Sequence, residues 1–128
     1  MPLRVVSGLI GVFFLLQGIN WILVPASAAE ALGMPLLEGV ARSTQIGDIG
    51  GFFVALAAMI LLGAHGSNGQ WLRGGALLLG AAAALRSLAW LAHGASYAAV
   101  FIGVEVLCTV VLLFIASRFD RAGDATTD

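Results

Sequence analysis

Residues 71–117 read WLRGGALLLGAAAALRSLAWLAHGASYAAVFIGVEVLCTVVLLFIAS, two apolar runs separated only by Gly94 and Ala95. Each run, 71–93 and 96–117, is long enough to cross a bilayer as a helix, which takes about 20 apolar residues. So short a connection leaves the second run only the space beside the first. The stretch therefore predicts an antiparallel pair of membrane-spanning helices.

Two further apolar runs precede this pair. The first covers residues 3–24 and ends at Pro25, which cannot continue a helix. The second covers residues 41–64 and is followed by the loop sequence HGSNG at 65–69. The sequence therefore predicts an all-α, polytopic membrane protein, a bundle of four transmembrane helices.

The segment 26–40 connects spans one and two. It carries two glutamates and the helix-breaking sequence Gly-Met-Pro at 33–35, which indicates a short interfacial helix followed by a turn. We expect residues 1–118 to form a single transmembrane domain and residues 119–128 a polar cytoplasmic tail.

Composition alone assigns the chain to the integral membrane proteins. It is 60% hydrophobic and 10% charged, with a mean hydropathy of +1.02, whereas soluble proteins are about half apolar and a quarter charged. Its six basic residues are all arginines, against seven acids, so it offers neither a polybasic lipid-binding segment nor a nucleic-acid-binding surface. The lipid bilayer is the predicted partner, and nucleic acid is excluded.

Arginine placement predicts the orientation of the spans. The side that holds both termini carries Arg4, Arg73, Arg118 and Arg121, whereas the opposite side has only Arg42. Short loops rich in basic residues remain in the cytoplasm. We therefore expect both termini to be cytoplasmic.

Three ionisable residues, Asp48, Arg86 and Glu105, lie within the apolar runs. An unpaired charge in the bilayer interior is costly, so each is a candidate functional residue. At about 1.5 Å per residue, all three lie roughly 9–12 Å below the outer ends of their spans, and Gln17 and Asn20 of span one reach a similar depth. The sequence therefore predicts one buried polar layer with side chains from all four spans.

Arg86 is expected to donate hydrogen bonds to Asp48, to Glu105 or to both. One arginine against two carboxylates leaves the layer negative. Either one carboxylate holds a proton, or His93 or Arg42 compensates, or a cation binds. If the two carboxylates point apart, the functional interpretation of the layer largely fails.

Secondary candidates lie nearer the outer surface. Trp90 and His93 follow Arg86 along one face of span three, and Gln45 precedes Asp48 on span two. Buried ion pairs can also fix helix register without any ligand. A structural clamp and a ligand, proton or partner site therefore remain equal alternatives.

No cofactor or metal site is predicted. The two histidines, His65 and His93, lie in opposite loops, so too few ligands converge for a metal. Cys108 is the only cysteine, which excludes an intrachain disulfide and Cys-x-x-Cys redox chemistry. The serines have no histidine and carboxylate arranged for nucleophilic catalysis, so the sequence does not favour an enzyme.

Four short motifs resemble a bacterial membrane protein family, the domain of unknown function 4345. They are Gly18, Trp21 and Pro25 at the end of span one, GDIGGFF at 47–53, Arg86 followed by His93-Gly94, and VEV at 104–106. The resemblance covers nearly the whole chain and implies a four-helix bundle in the bacterial inner membrane. It implies no particular activity, and Asp48 occupies a position where this family is expected to vary.

Three functions remain possible on this basis. The first, and the one that the sequence favours, is an accessory subunit or scaffold that packs on a larger membrane complex or on itself. The second is a binding or transport unit in which the polar layer receives a small ligand, proton or cation. The third, and least favoured, is an intramembrane enzyme. A cavity that reaches Arg86 would favour the second function, whereas a fully packed layer would leave only a clamp or a subunit.

Overall fold

The computed structural model describes residues 1–126 and contains, in that range, five helices and no strand. The helices are α1 (Pro2–Leu23), α2 (Pro25–Ala31), α3 (Gly39–Gly66), α4 (Gly69–His93) and α5 (Ala99–Asp124). All except α2 are long and apolar enough to cross a membrane. The predicted all-α, multi-pass membrane protein is confirmed.

Local sequence explains where the helices end. Only Val24 separates α1 from α2, and its backbone leaves the helical region because the following Pro25 disfavours that region. Asn68 caps α4, since its side-chain oxygen accepts a hydrogen bond from the backbone N–H of Gln70 at 2.9 Å. Gly94 ends α4 in the left-handed region, at φ 67°, which glycine adopts without steric cost.

Two segments differ in extent from the sequence prediction. The connection between α4 and α5 takes residues 94–98 rather than Gly94 and Ala95 alone. At the other end, α5 continues through Asp124 instead of ending at Ser117. Asp120 in this extension pairs with Arg73 on α4, which holds the polar turns against the bundle. The predicted polar tail, 119–128, is therefore helical through Asp124, and its positions 127 and 128 lie outside the described residues.

The spans pack as two antiparallel pairs, α1 with α3 and α4 with α5, joined by contacts between α3 and α4. Glycines permit the close approach of α1 and α3: a Cβ on Gly11 would lie 2.8 Å from the Leu61 side chain, and one on Gly18 would lie 2.8 Å from Val54 Cγ2. By contrast, α1 and α5 touch at few residues. The bundle is therefore least closed along the seam between α1 and α5.

The end of the bundle that holds both termini is fastened by arginines. Arg4 donates from Nε to the carbonyl of Ala64 at 2.9 Å and from Nη2 to that of His65 at 2.5 Å. These carbonyls belong to the last turn of α3, whose oxygens lack partners within the helix. Together with the Arg73–Asp120 pair, Arg4 ties α1 to α3 and α4 to α5 at this end.

A π-helical turn interrupts α3 at Gln45–Gly50. Its i→i+5 hydrogen bonds widen the helix, so that residues five apart share a face. Gln45 and Gly50 accordingly both point inward and are buried, whereas Asp48 between them is exposed. The α-helical spacing assumed from the sequence does not describe this turn.

Gln45 holds the connector between α1 and α3. Its Oε1 accepts a hydrogen bond from the Leu37 N–H at 2.9 Å, and its Nε2 donates to the Pro35 carbonyl at 3.0 Å. Arg42 adds a hydrogen bond from Nε to the Leu37 carbonyl at 2.7 Å. These contacts fold residues 32–38 back over the end of the bundle, where Trp21 is buried beneath them.

Candidate functional site

Arg86 on α4 and Glu105 on α5 form an ion pair inside the bundle. Arg86 Nε donates to Glu105 Oε1 at 2.9 Å, and the Arg86 guanidinium carbon lies 4.9 Å from the centre of the Phe101 ring. Glu105 is buried, with 8% of its surface exposed. The expectation that Arg86 donates to Asp48, to Glu105 or to both is met by Glu105 alone.

Each partner of this pair keeps unused hydrogen-bonding capacity. Glu105 Oε2 is buried and has no hydrogen-bond partner in residues 1–126. The Nη groups of Arg86 likewise donate to no protein group in that range. This pair makes a single hydrogen bond, which leaves the Oε2 acceptor of Glu105 and the Nη donors of Arg86 unused. An ion pair that only clamps two helices would be expected to use both carboxylate oxygens.

A cavity of about 220 Å³ lies against the pair. All four spans and the connector line it. The lining residues are Phe13, Phe14, Gln17, Leu32, Phe52, Phe53, Leu79, Arg86, Val100, Phe101, Val104 and Glu105. A mostly apolar cavity with a few convergent polar groups is the usual form of a small-molecule site.

The cavity opens on the outside of the bundle. Phe13 on α1 and Val100 on α5 both line it, and they are 48% and 76% exposed. These residues flank the seam where α1 and α5 make few contacts. The opening therefore faces the surroundings of the transmembrane helices, the region that lipid occupies in a membrane.

The two polar residues predicted from span one, Gln17 and Asn20, lie in different places. Gln17 lines the cavity, is half-buried, and its amide makes no hydrogen bond within residues 1–126. Asn20 is exposed and lies outside the cavity lining. Of the two, only Gln17 faces the Arg86–Glu105 pair across the cavity.

Asp48 does not join the pair. Its side chain is exposed and, in the part of the chain that the structure describes, forms no ion pair or hydrogen bond. The π-helical turn is the reason, since it places Gln45 and Gly50 on the inner face and turns Asp48 outward. The two carboxylates therefore point apart, and by the criterion given above the functional interpretation of a layer that contains all three charges fails.

This placement changes the charge balance of the site. The layer predicted from the sequence contained Arg86 and the two carboxylates of Asp48 and Glu105, and it was therefore net negative. With Asp48 outside the cavity, Arg86 and Glu105 balance one to one. The pair has no excess negative charge, so a bound proton, a bound cation or a nearby His93 or Arg42 is not needed to neutralise it.

The secondary candidates also lie elsewhere. Trp90 is 46% exposed and contacts Tyr97, with ring centres 5.0 Å apart, and His93 is exposed at the end of α4. Gln45 is committed to the backbone of the connector. None of the three lines the cavity, and no group of three metal-ligating side chains occurs among the described residues.

Sequence reasoning missed the aromatic lining. Five of the seven phenylalanines in the chain line the cavity. Two adjacent pairs, Phe13-Phe14 and Phe52-Phe53, contribute four of them, with the Phe14 and Phe53 rings stacked 6.1 Å apart. The repetition of Phe-Phe about one helical turn deeper than Gln17 and Asp48 was the available signal.

Comparisons of the chain with protein-family models, with curated proteins and with solved structures find no match.

Proposed function

We propose that this protein is a membrane-embedded binding unit that receives a small ligand from the bilayer, in the cavity beside Arg86 and Glu105. The observation that carries the proposal is the cavity lined by both Arg86 and Glu105, together with the buried Oε2 of Glu105, which has no hydrogen-bond partner among the described residues. A buried carboxylate oxygen without a partner is costly. A ligand that donates a hydrogen bond to it removes this cost.

The geometry also supports entry from lipid. The opening lies between α1 and α5. It is away from the end of the bundle that holds both termini, which Arg4 and the Arg73–Asp120 pair fasten. Apart from Glu105 itself, the cavity lining contains no serine, threonine, cysteine, histidine, lysine or tyrosine, and no group of three metal-ligating residues occurs among the described residues. Binding is therefore proposed in preference to catalysis.

Photolabelling tests whether the cavity is occupied. The probe is a benzyl alcohol that carries a trifluoromethyl-diazirine on its ring, added to the protein in phospholipid bilayers. We expect adducts on Phe101, lowered at least about fivefold in Val104→Trp, which fills the opening. Labelling confined to the lipid-facing residues of α1 and α5 would contradict the proposal.

Leu107→Trp is the matched control. Leu107 lies on the same helix as Val104, is 64% exposed and does not line the cavity. Its replacement adds the same bulk to the outside of α5. Adduct yield at Phe101 should therefore stay at the wild-type level, and an equal loss in both variants would show that the probe does not enter the cavity.

A second candidate function, the accessory subunit, is favoured by the outward face of α3. Asp48 is exposed there and has no partner among residues 1–126, and an added Cβ on the neighbouring Gly47 or on Gly51 would meet open space. Small residues allow another helix to approach closely, and an intramembrane carboxylate favours a partner that carries arginine or lysine. Two copies of the chain would instead bring two carboxylates together.

A model helix tests this candidate. A leucine-rich transmembrane peptide with one central arginine should associate with the wild-type protein about fivefold more strongly than its glutamine analogue, measured by energy transfer in bilayers. Asp48→Asn should abolish the preference. Gly103→Leu, at an equally open glycine on α5, should leave it intact. Equal binding of the two peptides to the wild type would contradict this role.

The location and family are part of the proposal. We place the chain in the bacterial inner membrane with both termini in the cytoplasm, supported by Arg4, Arg73 and Arg118 at one end of the bundle. Reporter fusions after residue 128 and within the connector test this orientation, and an external C-terminus would contradict it. Membership of the domain of unknown function 4345 family is supported by the motifs given above.

A further inference from the structure

The cavity's polar groups restrict the charge of its ligand. Arg86 and Glu105 carry opposite formal charges and contact each other at 2.9 Å, so the site is balanced before anything binds. Gln17, the other polar residue in the lining, is neutral. A charged head group would add an uncompensated charge in a poorly solvated place, which is costly. The site therefore favours a neutral head.

The same groups restrict the hydrogen bonding of the head. Glu105 Oε2 needs a donor, while the free Nη groups of Arg86 need an acceptor. A ketone, ester or ether satisfies Arg86 but leaves Oε2 unpartnered. A hydroxyl supplies one donor and two acceptor positions in a single atom. It is the smallest group that satisfies both sides of the pair.

The lining beside the pair restricts the body of the ligand. Phe101 packs under the Arg86 guanidinium, and Phe14 and Phe53 stack on each other across the α1–α3 interface. Aromatic side chains favour a ring placed edge-on or offset against them. Beyond the rings, the exposed Val100 and Phe13 at the opening lead an alkyl chain out toward lipid.

We infer that the ligand class is a neutral amphiphile with a ring-borne hydroxyl, such as an alkylphenol, whose hydroxyl lies between Glu105 Oε2 and the Arg86 Nη groups. This inference rests on the proposed binding function and narrows it to a head group, a body and an orientation. The hydroxyl donates to Oε2 and accepts from Arg86. The ring lies among the phenylalanines, and the chain extends between α1 and α5.

Four probes of nearly equal shape test the class. They are 4-octylphenol, its methyl ether 4-octylanisole, 4-octylbenzoate and octylbenzene, compared as competitors of the photolabel at equal mole fraction in the bilayer. An unmade bond to a buried polar group costs about 1–3 kcal/mol. We therefore expect the phenol to compete at least about tenfold better than each of the other three.

Paired variants assign the preference to the site. In Arg86→Leu/Glu105→Leu the phenol and the anisole should compete equally, because neither polar group remains. In Arg73→Leu/Asp120→Leu the tenfold preference should persist, since this second Arg–carboxylate pair joins the same two helices outside the cavity. Loss of the preference in both double variants would assign it to general loosening of the bundle and overturn the inference.

The outcomes separate the class from the function. If the benzoate or octylbenzene competes as well as the phenol, the neutral hydroxyl class is wrong while a binding cavity stands. If the anisole equals the phenol, the donor to Glu105 is unnecessary and the class is also wrong. If no probe competes and no photolabel enters the cavity, the proposed function itself fails, and the inference fails with it.

Discussion

Replacing Arg86 alone with leucine is expected to lower the free energy of unfolding by about 3 kcal/mol, because it leaves Glu105 buried with neither carboxylate oxygen paired. Removing one partner of a buried pair is far more costly than removing both. Removing one partner of a buried pair usually costs about 3–5 kcal/mol. The Arg86 side chain is 34% exposed, so we expect the lower end of this range. Unfolding in mixed micelles, followed by circular dichroism, measures the change.

Arg73→Leu is the matched control for this prediction. Arg73 also pairs with an acid across the α4–α5 interface, but the side chains of both members of this pair, Arg73 and Asp120, are 47% and 40% exposed. Exposed pairs contribute about 1 kcal/mol or less. If Arg86→Leu costs no more than Arg73→Leu, Glu105 is not in a poorly solvated environment and the account of the site is wrong.

Trp21→Ala is expected to lower the free energy of unfolding by about 3–5 kcal/mol, the usual range for removing a large buried aromatic side chain. Trp21 is 1% exposed and lies under Ala28 and Ala29 of α2. It also packs against Gly50 in the π-helical turn, where an added Cβ would lie 3.0 Å from Trp21 Cβ. Its loss therefore loosens both the connector and the turn.

Two measurements check the prediction for Trp21. Unfolding in mixed micelles gives the stability change, and limited proteolysis within residues 32–38 reports release of the connector, which should accelerate at least about tenfold. Trp90→Ala is the control, because Trp90 is 46% exposed and its ring contacts Tyr97 in the connection between α4 and α5, far along the chain from the 32–38 segment. Equal losses in the two variants would show that Trp21 is not the anchor of the connector.

The architecture could be predicted because it depends on composition and length. Runs of about 20 apolar residues, stopped by Pro25 and by the loop at 65–69, leave few alternatives in a bilayer. The short helix and turn between spans one and two followed from the same reasoning. The end of α5 could not be predicted in this way. The helix continues to Asp124, and Asp120 in its last turns pairs with Arg73, a tertiary contact that local sequence does not reveal.

The candidate site could be predicted only in part. Depth counting brought Arg86, Glu105 and Gln17 to one level, and the structure places all three around one cavity. Depth carries no information about direction, however. Asp48 shares the level but faces outward, because a π-helical turn breaks the α-helical spacing that the sequence analysis assumed. At this turn Gly50 packs closely on Trp21, and a tertiary contact of this kind cannot be read from the local sequence.

The central claim is that Arg86 and Glu105 form a ligand site and not a structural clamp, and the double variant Arg86→Leu/Glu105→Leu tests it most directly. Replacing both partners of a buried pair with apolar groups is often neutral or stabilising. We predict that its free energy of unfolding stays within about 1 kcal/mol of the wild type while 4-octylphenol protects the cavity from photolabelling no better than 4-octylanisole. A variant that fails to fold, or one that folds and keeps the preference for the phenol, would contradict the account.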